Sequence, residues 1–493
     1  MRGKCLMVQG TASSVGKSVL CAALLRIFRQ DGLRCAPFKA QNMALNSYVT
    51  RDGHEIGRAQ AMQAMAAGLE PDVRMNPVLL KPTGERQSQV IVMGKSVGTM
   101  SAMEYHLMKP ELRQQIREVY SALEQEMDCV VLEGAGSPAE INLREGDIVN
   151  MSMAEAADAP VLLVGDINPG GVFAALLGTL MLLEEQERRR VKGVIINKFR
   201  GDPAILEPGL RMLEERIHCP VLGVVPWMDV HLEEEDSLST RFSERMGTGC
   251  LDIAVVRLPH ISNFTDFEAL ALHPAFSVRY ISSPEEIRGA DAVILPGTKS
   301  TSEDLCAIRE SGMAEAVVRY ANGGGTVIGI CGGYQMLGRV IRDPLGVESE
   351  KREVPGLALL DIETEFSPEK LTRQVRARGE DVPGWKLGGH VFSGYEIHAG
   401  RTRAGKDARV CLTSGTDAVG ASSPDGKVLG AYLHGLFDDG FLAQVLALRL
   451  SGNGHWETRD YDRFREQELD RAARTVRESL DMEAIYRILR GQA

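Results

Sequence analysis

The chain has 493 residues, 44% hydrophobic and 25% charged, a balance that excludes a predominantly disordered polypeptide. Its formal net charge of -11 excludes the clustered basic surface that nucleic-acid binding requires. The first residues, MRGKCLMVQG, lack the apolar segment of a signal peptide, and no later stretch reaches membrane-spanning length. We therefore expect a cytoplasmic protein with small-molecule partners, no nucleic acid and no membrane, and these data allow a homo-oligomer.

The cysteines support the same compartment. There are nine, and none of them forms a CxxC pair or a spacing typical of zinc ligands. Free thiols at irregular spacing fit a reducing environment.

Short apolar runs alternate with helix-length segments through the first half: KCLMVQG, DCVVLEGAG, APVLLVGD, VKGVIINKF and PVLGVVPW. Strands that are apolar on both faces and separated by helices predict an α/β fold with a doubly wound parallel sheet. Ligand sites in such sheets lie at the carboxyl ends of the strands. The pattern begins again at Leu251 with LDIAVVRL, DAVILPG, GTVIGICGG and KVLGAYLHGLF, so a second α/β domain is predicted.

These patterns predict four segments. Residues 1–235 form a P-loop domain, 236–250 a charged linker, 251–447 the second α/β domain and 448–493 a helical extension. Within the second domain, the polar stretch 367–389 is expected to be a long surface excursion. In the extension, apolar residues at helical spacing predict an amphipathic helix: Leu469, Ala472, Ala473, Val476 and Leu480.

The sequence GTASSVGKS, at 10–18, follows a predicted strand and precedes a helical pattern. Backbone N–H groups of such a loop can cradle phosphates, while the lysine pairs with the terminal phosphates and the serine ligates magnesium. The loop has one residue more between its glycines than the commonest spacing. We expect ATP and Mg²⁺ as cofactors, with these ATP-binding residues: Gly10, Thr11, Val15, Gly16, Lys17 and Ser18.

Four further polar residues are candidates for the same site. Glu133 ends the apolar run CVVLEGAG and is predicted to ligate magnesium, with Glu55 as a second metal contact; a solvated acidic side chain is the alternative for each. Asn197 and Lys198 resemble the first two residues of the NKxD motif that reads guanine in GTPases. The fourth position is Arg200, which cannot accept hydrogen bonds from guanine, so adenine is expected.

Cys331 lies between the strand-like TVIGI and the helix-like YQMLGRVI. A sharp strand-to-helix turn exposes a thiol at a helix N-terminus, which favours the nucleophilic thiolate. The general base is predicted to be His434 in GAYLHGLF, with His398 in GYEIH as the competing candidate. Backbone N–H groups of Gly332 and Gly297 are predicted to form an oxyanion hole.

Taken together, the second half resembles the class I (triad) glutamine amidotransferases, and the first is similar to dethiobiotin synthetase, whose loop also reads GTxxxVGK. The chain resembles the cobyric acid synthase family over nearly its full length, through PFKAQNMALNS, GHEIGRAQAMQA, NPVLLKPTG, EGAGSPAEINL, LPGTKST, GICGGYQMLG and GYEIH. Its glutamine-dependent relative, cobyrinic acid a,c-diamide synthase, is expected to carry a GPDYID-like stretch where this chain has KAQNMALNS. That relative remains the alternative.

The resemblance implies a glutamine-hydrolysing carbon–nitrogen ligase. Its reaction is ATP- and glutamine-dependent amidation of carboxylates b, d, e and g of adenosylcobyrinic acid a,c-diamide, which gives adenosylcobyric acid in cobalamin biosynthesis. The polar QNMALNS loop and nearby basic residues, Arg86 included, are candidates for holding the anionic corrinoid, with surface solvation as the alternative. The predicted substrate residues are Lys39, Gln41, Asn42, Asn46 and Lys81.

One position departs from the triad families, which place an acidic residue two positions after the histidine. Here that position is Leu436. Asp438, Asp439 or Glu396 is a candidate for the orienting group, and a Cys–His dyad is the other possibility.

A regulatory ATPase of the partitioning type, with an inert second domain, is the alternative from another functional class. Those switches carry an additional lysine inside the loop, where this chain has Ala12. An inert domain also has no need for a cysteine and a histidine in glycine-rich strand-end settings. The sequence therefore favours an enzyme.

Overall fold

The computed structural model describes residues 4–83, 87–230, 232, 242, 245–452, 456 and 460–492. The chain forms two compact units that are each discontinuous in sequence. Unit 1 comprises Met1–Met43, Ile56–Glu233 and Arg465–Ala493, and unit 2 comprises Ala44–Glu55 and Glu234–Phe464. Most of the predicted linker lies outside the described residues, and the predicted domain boundaries stay predictions.

Unit 1 is built around a six-stranded parallel sheet in the described part of the chain, with strand order β12-β11-β10-β1-β9-β2, and a second sheet of order β3-β6-β7-β8. The strands in the first half of the chain are β1 Lys4–Gly10, β2 Cys35–Phe38, β3 Gln41–Met43, β4 Ser47–Val49, β5 Glu55–Gly57, β6 Val78–Pro82, β7 Gln87–Val92, β8 Lys95–Ser101, β9 Cys129–Glu133, β10 Val161–Asp166, β11 Val191–Phe199 and β12 Val221–Pro226. The helices are α1 Lys17–Gln30, α2 Arg58–Ala66, α3 Ala102–Glu126, α4 Met151–Ala156, α5 Val172–Leu182, α6 Glu185–Arg190 and α7 Glu207–Ile217.

Both faces of the parallel sheet are buried. Along β1, Cys5 and Met7 pack into one core, while Leu6 and Val8 pack into the other. Side chains alternate between the faces of a strand, so this division shows why the strand is apolar throughout. The predicted α/β fold with a parallel sheet is confirmed. Because β1 lies between β9 and β10, the crossover direction reverses beside β1, which is where ligands bind in such sheets.

Unit 2 contains an eleven-stranded sheet among the described residues; its order is β14-β13-β15-β16-β23-β22-β21-β19-β17-β18, and β20 pairs with β19. The strands are β13 Leu251–Val256, β14 Phe276–Ile281, β15 Ala292–Leu295, β16 Thr326–Ile330, β17 Val340–Arg342, β18 Glu353–Pro355, β19 Ile362–Gly379, β20 Val391–Ala404, β21 Arg409–Ser414, β22 Asp417–Ser422 and β23 Val428–Ala431. The helices of the second half are α8 Asp266–Ala271, α9 Thr301–Glu310, α10 Met313–Asn322, α11 Gly332–Met336, α12 Phe441–Ser451, α13 Tyr461–Ser479 and α14 Met482–Leu489.

Two predictions about this half meet different outcomes. The stretch expected to be a surface excursion is largely strand, because β19 extends to Gly379 and pairs with β20. The predicted amphipathic helix is α13, whose Leu469, Ala472 and Val476 are buried in a core that includes α1. No described helix has both the length and the apolarity that crossing a bilayer requires.

Candidate active sites

The GTASSVGKS segment forms a loop between β1 and α1. Thr11 N donates a hydrogen bond to the carbonyl of Val164 (2.9 Å), which fixes the loop against the end of β10. Gly16 has a φ of 94°, and a Cβ there would lie 2.3 Å from Nδ2 of Asn197. A glycine is therefore required for two reasons, the backbone conformation and the close approach of a side chain.

Lys17 begins α1 and is buried. Its Nζ donates to the carbonyl oxygens of Ala12 and Gly136, each at 3.0 Å, so the ammonium lies across the loop. A lysine held over a loop that opens onto a helix N-terminus gives a site suited to phosphate groups.

Glu133, at the end of β9, is 1% exposed and is the centre of a polar cluster. Its Oε1 accepts from Ser18 Oγ (2.8 Å) and Lys39 Nζ (3.0 Å), and its Oε2 accepts from Gln63 Nε2 (2.6 Å). Burial opposes ionisation, but the Lys39 ammonium and the hydrogen bonds hold the pKa of this carboxyl below its usual value. The hydroxyl of Ser18 and the carboxylate of Glu133 are the oxygen donors that a magnesium ion prefers, so the predicted pair fits that ion.

Asn197, at the carboxyl end of β11, reaches the same loop. Its Nδ2 donates to the carbonyl of Val15 (2.8 Å). Its Oδ1 is buried and has no hydrogen-bonding partner among the described residues. A buried acceptor of this kind is free to receive a donor such as the amino group of adenine.

Lys198 and Arg200 are placed differently. Lys198 Nζ donates to the carbonyl of Ser14 (2.5 Å) and pairs with Asp166 (2.9 Å). The guanidinium of Arg200 stacks on the ring of Trp227, 4.1 Å from its centroid. Arg200 is thus engaged with an aromatic face, and no carboxylate stands at the position that reads guanine in GTPases.

The structure divides the remaining predicted residues between the two units. Glu55, the second metal candidate, belongs to unit 2, where its carboxylate is 2.6 Å from Lys370 Nζ. Ser18 and Glu133 belong to unit 1. The structure therefore brings Ser18 and Glu133 together, and it assigns Glu55 to another local network.

The predicted corrinoid residues are also divided. In unit 1, Gln41 accepts a hydrogen bond from the hydroxyl of Tyr105 (2.5 Å), and Asn42 donates to Gln60 (2.8 Å). Lys81 is a buried residue of β6. Asn46 belongs to unit 2, and Arg86 lies outside the described residues.

Cys331 occupies the turn between β16 and α11. Its φ is 50° and its ψ is −106°, a strained conformation for a residue other than glycine. Its amide donates to the carbonyl of Ala431 (2.8 Å), and its thiol donates to the carbonyl of Ile397 (3.7 Å). The turn has the elbow geometry that presents a nucleophile at a helix N-terminus.

The two glycines predicted to form the oxyanion hole, Gly332 and Gly297, lie close to Thr298 and His434, respectively. A Cβ on Gly332 would lie 2.6 Å from Cγ2 of Thr298 and 3.1 Å from its backbone nitrogen. A Cβ on Gly297 would lie 3.0 Å from Cε1 of His434. The backbone of the 297–298 loop is therefore packed between the residue that follows Cys331 and the histidine, where donors to an oxyanion are needed.

His434 is buried three residues after the end of β23, and a buried acid orients it. Its Nδ1 is 2.7 Å from Oδ2 of Asp266, the first residue of α8, and Oδ1 of Asp266 accepts from the amide of Gly435 (3.0 Å). A carboxylate can only accept, so Nδ1 carries the proton and Nε2 is the basic atom of the neutral ring. Nε2 makes no hydrogen bond of ordinary geometry to any described residue.

The electrostatics of this histidine follow from its two neighbours. Burial opposes its protonation, but Asp266 and the sulfur of Cys331 outweigh burial and raise the pKa of His434 to about 10. The three side chains thus form a coupled group in which a proton is readily held on the imidazole.

The acidic candidates named from the sequence have other partners. Asp439 is 2.6 Å from Nε2 of His390, and Glu396 pairs with Arg373 (2.7 Å). Asp438 lies beside Gly435, where its Oδ2 would be 2.9 Å from an added Cβ.

The competing histidine, His398, stacks on Tyr432 with ring centroids 3.6 Å apart. Burial lowers the pKa of His398 to about 4, and its Nδ1 is 2.8 Å from the carbonyl of Gly400. Sequence reasoning missed Asp266, and its segment NFTDFEAL carries no motif that marks it as an orienting acid.

Two family models match the chain, one in each half. Residues 6–238 match the family model described as CobQ/CobB/MinD/ParA nucleotide binding domain. Residues 252–441 match the model described as CobB/CobQ-like glutamine amidotransferase domain. A solved structure titled glutamine amidotransferase aligns with a TM-score of 0.32 and 22% identity, covering 41% of this chain and 99% of that chain.

The fold and the two sites define a glutamine amidotransferase joined to a nucleotide-binding P-loop domain. Cobyric acid synthases are similar along the whole chain: 54% identity for that of Salmonella heidelberg, covering 98% of both chains. The enzyme of Photorhabdus laumondii is 52% identical over 99% of this chain and 98% of its own, and that of Caldanaerobacter subterraneus is 50% identical over 98% of both. The chain belongs to the cobyric acid synthase family.

Proposed function

We propose that this chain amidates carboxylates b, d, e and g of adenosylcobyrinic acid a,c-diamide, with ATP and glutamine as co-substrates, to give adenosylcobyric acid. Similarity to cobyric acid synthases along 98% of the chain supports the substrate. The observation that carries the chemistry is the pairing of His434 with Asp266 beside Cys331, in a chain that also holds the Lys17, Ser18 and Glu133 site.

The first half-reaction activates a carboxylate, which is a poor electrophile. The carboxylate oxygen attacks the γ-phosphorus of ATP, and the bond to the bridging oxygen breaks, giving an acyl phosphate and ADP. Lys17 lies across the loop where it can pair with the phosphates. Ser18 and Glu133 would hold a magnesium ion, which when bound neutralises charge on the phosphates.

The second half-reaction supplies ammonia. The Cys331 thiol gives its proton to His434 and the sulfur attacks the carboxamide carbon of glutamine, while backbone N–H groups of the 297–298 loop and Gly332 stabilise the oxyanion. His434 transfers its proton to the leaving nitrogen, which departs as ammonia and leaves a thioester on Cys331. Water, deprotonated by His434, hydrolyses the thioester to glutamate and the free thiol. Ammonia then displaces phosphate from the acyl phosphate to form the amide.

Adenine is the base that the nucleotide site suits. The buried Oδ1 of Asn197 can accept a hydrogen bond from the adenine amino group, and Arg200 offers no acceptor to guanine. Lys39, Gln41, Asn42 and Lys81 are retained as candidates for corrinoid binding. We also propose a cytoplasmic location, supported by nine free cysteines, and leave homo-oligomer formation as a hypothesis.

The experiment compares two nitrogen sources in purified variants. Cys331→Ser should lose glutamine-dependent amidation and keep ammonium-dependent amidation, because the sulfur is needed only to release ammonia. Lys17→Ala should lose both, because no acyl phosphate forms. Equal loss of both activities in Cys331→Ser would contradict this division of labour.

Two alternative functions can be distinguished by experiment, one by its acceptor substrate and the other by its lack of glutaminase activity. A cobyrinic acid a,c-diamide synthase would amidate cobyrinic acid itself, so a panel of acid corrinoids with mass spectrometry of the products distinguishes the two enzymes. A partitioning ATPase would hydrolyse no glutamine. The paired Asp266 and His434 beside Cys331 favour the enzyme over that switch.

A further inference from the structure

Residues 44–55, here called the strap, leave unit 1 and pack in unit 2 before the chain returns to unit 1. The strap contains β4 and a turn closed by Thr50, whose amide donates to the carbonyl of His54 (2.8 Å). It begins within the QNMALNS segment, whose polar residues are candidates for holding the corrinoid. Two groups of its contacts in unit 2 are with residues that support the glutaminase site.

The first anchor is the turn that presents Asp266. Ser47 N donates to Oδ1 of Asn263 (3.2 Å), and the amide of Phe264 donates to Oδ1 of Asn46 (3.3 Å). Asp266 N in turn donates to the carbonyl of Asn263 (3.1 Å). Asn263 has a φ of 53°, a conformation that asparagine tolerates better than most residues. The strap therefore fixes the backbone from which the orienting acid projects.

The second anchor is Tyr395, which is 3% exposed. Its hydroxyl donates to the carbonyl of Ser47 (3.1 Å) and accepts from Nδ2 of Asn263 (3.1 Å). Its ring stacks on the imidazole of His434 with centroids 5.3 Å apart. Tyr395 and His434 also exchange two backbone hydrogen bonds, of 2.9 and 3.2 Å. One end of this side chain is held by the strap, and its face supports the base.

We propose that Tyr395 is a positioning residue for His434 in glutamine hydrolysis, and that the strap holds Tyr395 in place through Ser47 and Asn263. The proposal rests on the proposed function, because it assigns a role within the glutaminase half-reaction. It also gives Asn46 a role in the glutaminase unit. Tyr395 acts through His434, so its loss should change how fast bound glutamine is cleaved and should leave glutamine binding largely intact.

The test is Tyr395→Phe, which removes the hydroxyl and keeps the ring. The kcat for glutamine hydrolysis is expected to fall about tenfold, because the two buried hydrogen bonds that hold this positioning side chain are lost. The KM for glutamine should stay within about twofold, and ammonium-dependent amidation should be unchanged. Tyr395→Leu, which also removes the stacked ring, should lower kcat further, so that the phenylalanine variant is a partial rescue.

Tyr320→Phe is the matched control, because its hydroxyl donates to the carbonyl of Ala290 (3.0 Å) in the same unit and contacts no residue of the site. It should keep wild-type kcat. Asn263→Gly, which the positive φ accommodates, removes both side-chain contacts to the strap and Tyr395 and should reproduce the selective loss. Wild-type kcat in Tyr395→Phe, or a parallel fall in ammonium-dependent amidation, would overturn the proposal.

Asn46→Ala tests the strap directly. Under the proposal it lowers kcat for glutamine hydrolysis and leaves the KM for the corrinoid in the ammonium-driven reaction unchanged. A raised corrinoid KM with unchanged glutamine hydrolysis would assign Asn46 to the corrinoid and overturn its role in the strap. If the wild-type enzyme hydrolyses no glutamine, the proposed function itself is contradicted. That result differs from both outcomes expected for Asn46→Ala.

Discussion

Nδ1 of His434 and Oδ2 of Asp266 lie 2.7 Å apart although 168 residues separate them in the chain. Triad amidotransferases take the orienting acid from the segment of the histidine, where this chain has Leu436. Here the orienting acid comes from α8, the helix that follows β13 in the chain. Asp266 fixes the tautomer of His434 and compensates its charge, which are the functions of the third member of a catalytic triad.

Asp266→Asn should therefore lower kcat for glutamine hydrolysis by about 10²- to 10⁴-fold, because an amide can donate to Nδ1 and stabilise the wrong tautomer. Ammonium-dependent amidation should be retained. Steady-state kinetics with each nitrogen source measure both quantities. Asp439→Asn is the control, since Asp439 contacts His390 instead (2.6 Å). Comparable loss in both variants would remove Asp266 from the triad.

The same pair predicts a pH dependence of stability. The pKa of His434 is raised from 6.5 to about 10, so the folded state binds the proton more tightly than the unfolded state. The stabilisation is fully present below pH 6.5, and it is lost as the pH rises toward 10. The difference in unfolding free energy between the wild type and Asp266→Asn should shrink over that range in urea denaturation. A difference independent of pH would contradict the ion pair.

Glu133→Gln should abolish ATP turnover and also destabilise the protein. The substitution leaves the buried Lys39 ammonium without its Glu133 partner, and breaking a buried pair in this way costs about 3–5 kcal/mol. The double variant with Lys39→Met should lose less than the sum of the two single changes, because the charge is removed with its partner. Chemical denaturation of the two single variants and the double variant gives the coupling free energy between Glu133 and Lys39. Additive losses of stability would contradict this coupling.

Gly332→Ala should lower glutamine hydrolysis by about 10²- to 10³-fold, the cost of disturbing one oxyanion donor. The new Cβ would lie 2.6 Å from Cγ2 of Thr298. Thr298 cannot yield easily, because its hydroxyl donates to the buried Asp304 (2.5 Å).

The control for this substitution is Gly178→Ala in α5, where a Cβ meets nothing within 4 Å. That variant should keep its activity and gain up to about 1 kcal/mol of stability, since alanine is the better helix former. A fully active Gly332→Ala would show that the loop beside Cys331 contributes no oxyanion donor. Initial rates of glutamate release measure each variant.

Much of the molecule was predictable because its signals are local. A phosphate loop and a nucleophile elbow are formed by a few consecutive residues, so their geometry is encoded in short motifs around Lys17 and Cys331. The strand β19 was not predicted, although Val375 and Ala377 are buried and Arg376 and Arg378 exposed in the alternation typical of a strand. The polar composition of that stretch favoured a surface excursion, and this interpretation was wrong.

The sequence by itself determined the α/β fold and the family, and it predicted the nucleophile, because each is carried by consecutive residues or by similarity along the whole chain. Tertiary structure alone decided that Asp266 contacts His434 and that the strap packs in unit 2. It also decided that Tyr395 contacts both the strap and His434. The physical reason is that a hydrogen bond depends on the distance between two atoms in space. The spacing of residues in the sequence sets that distance only within a turn or a short helix.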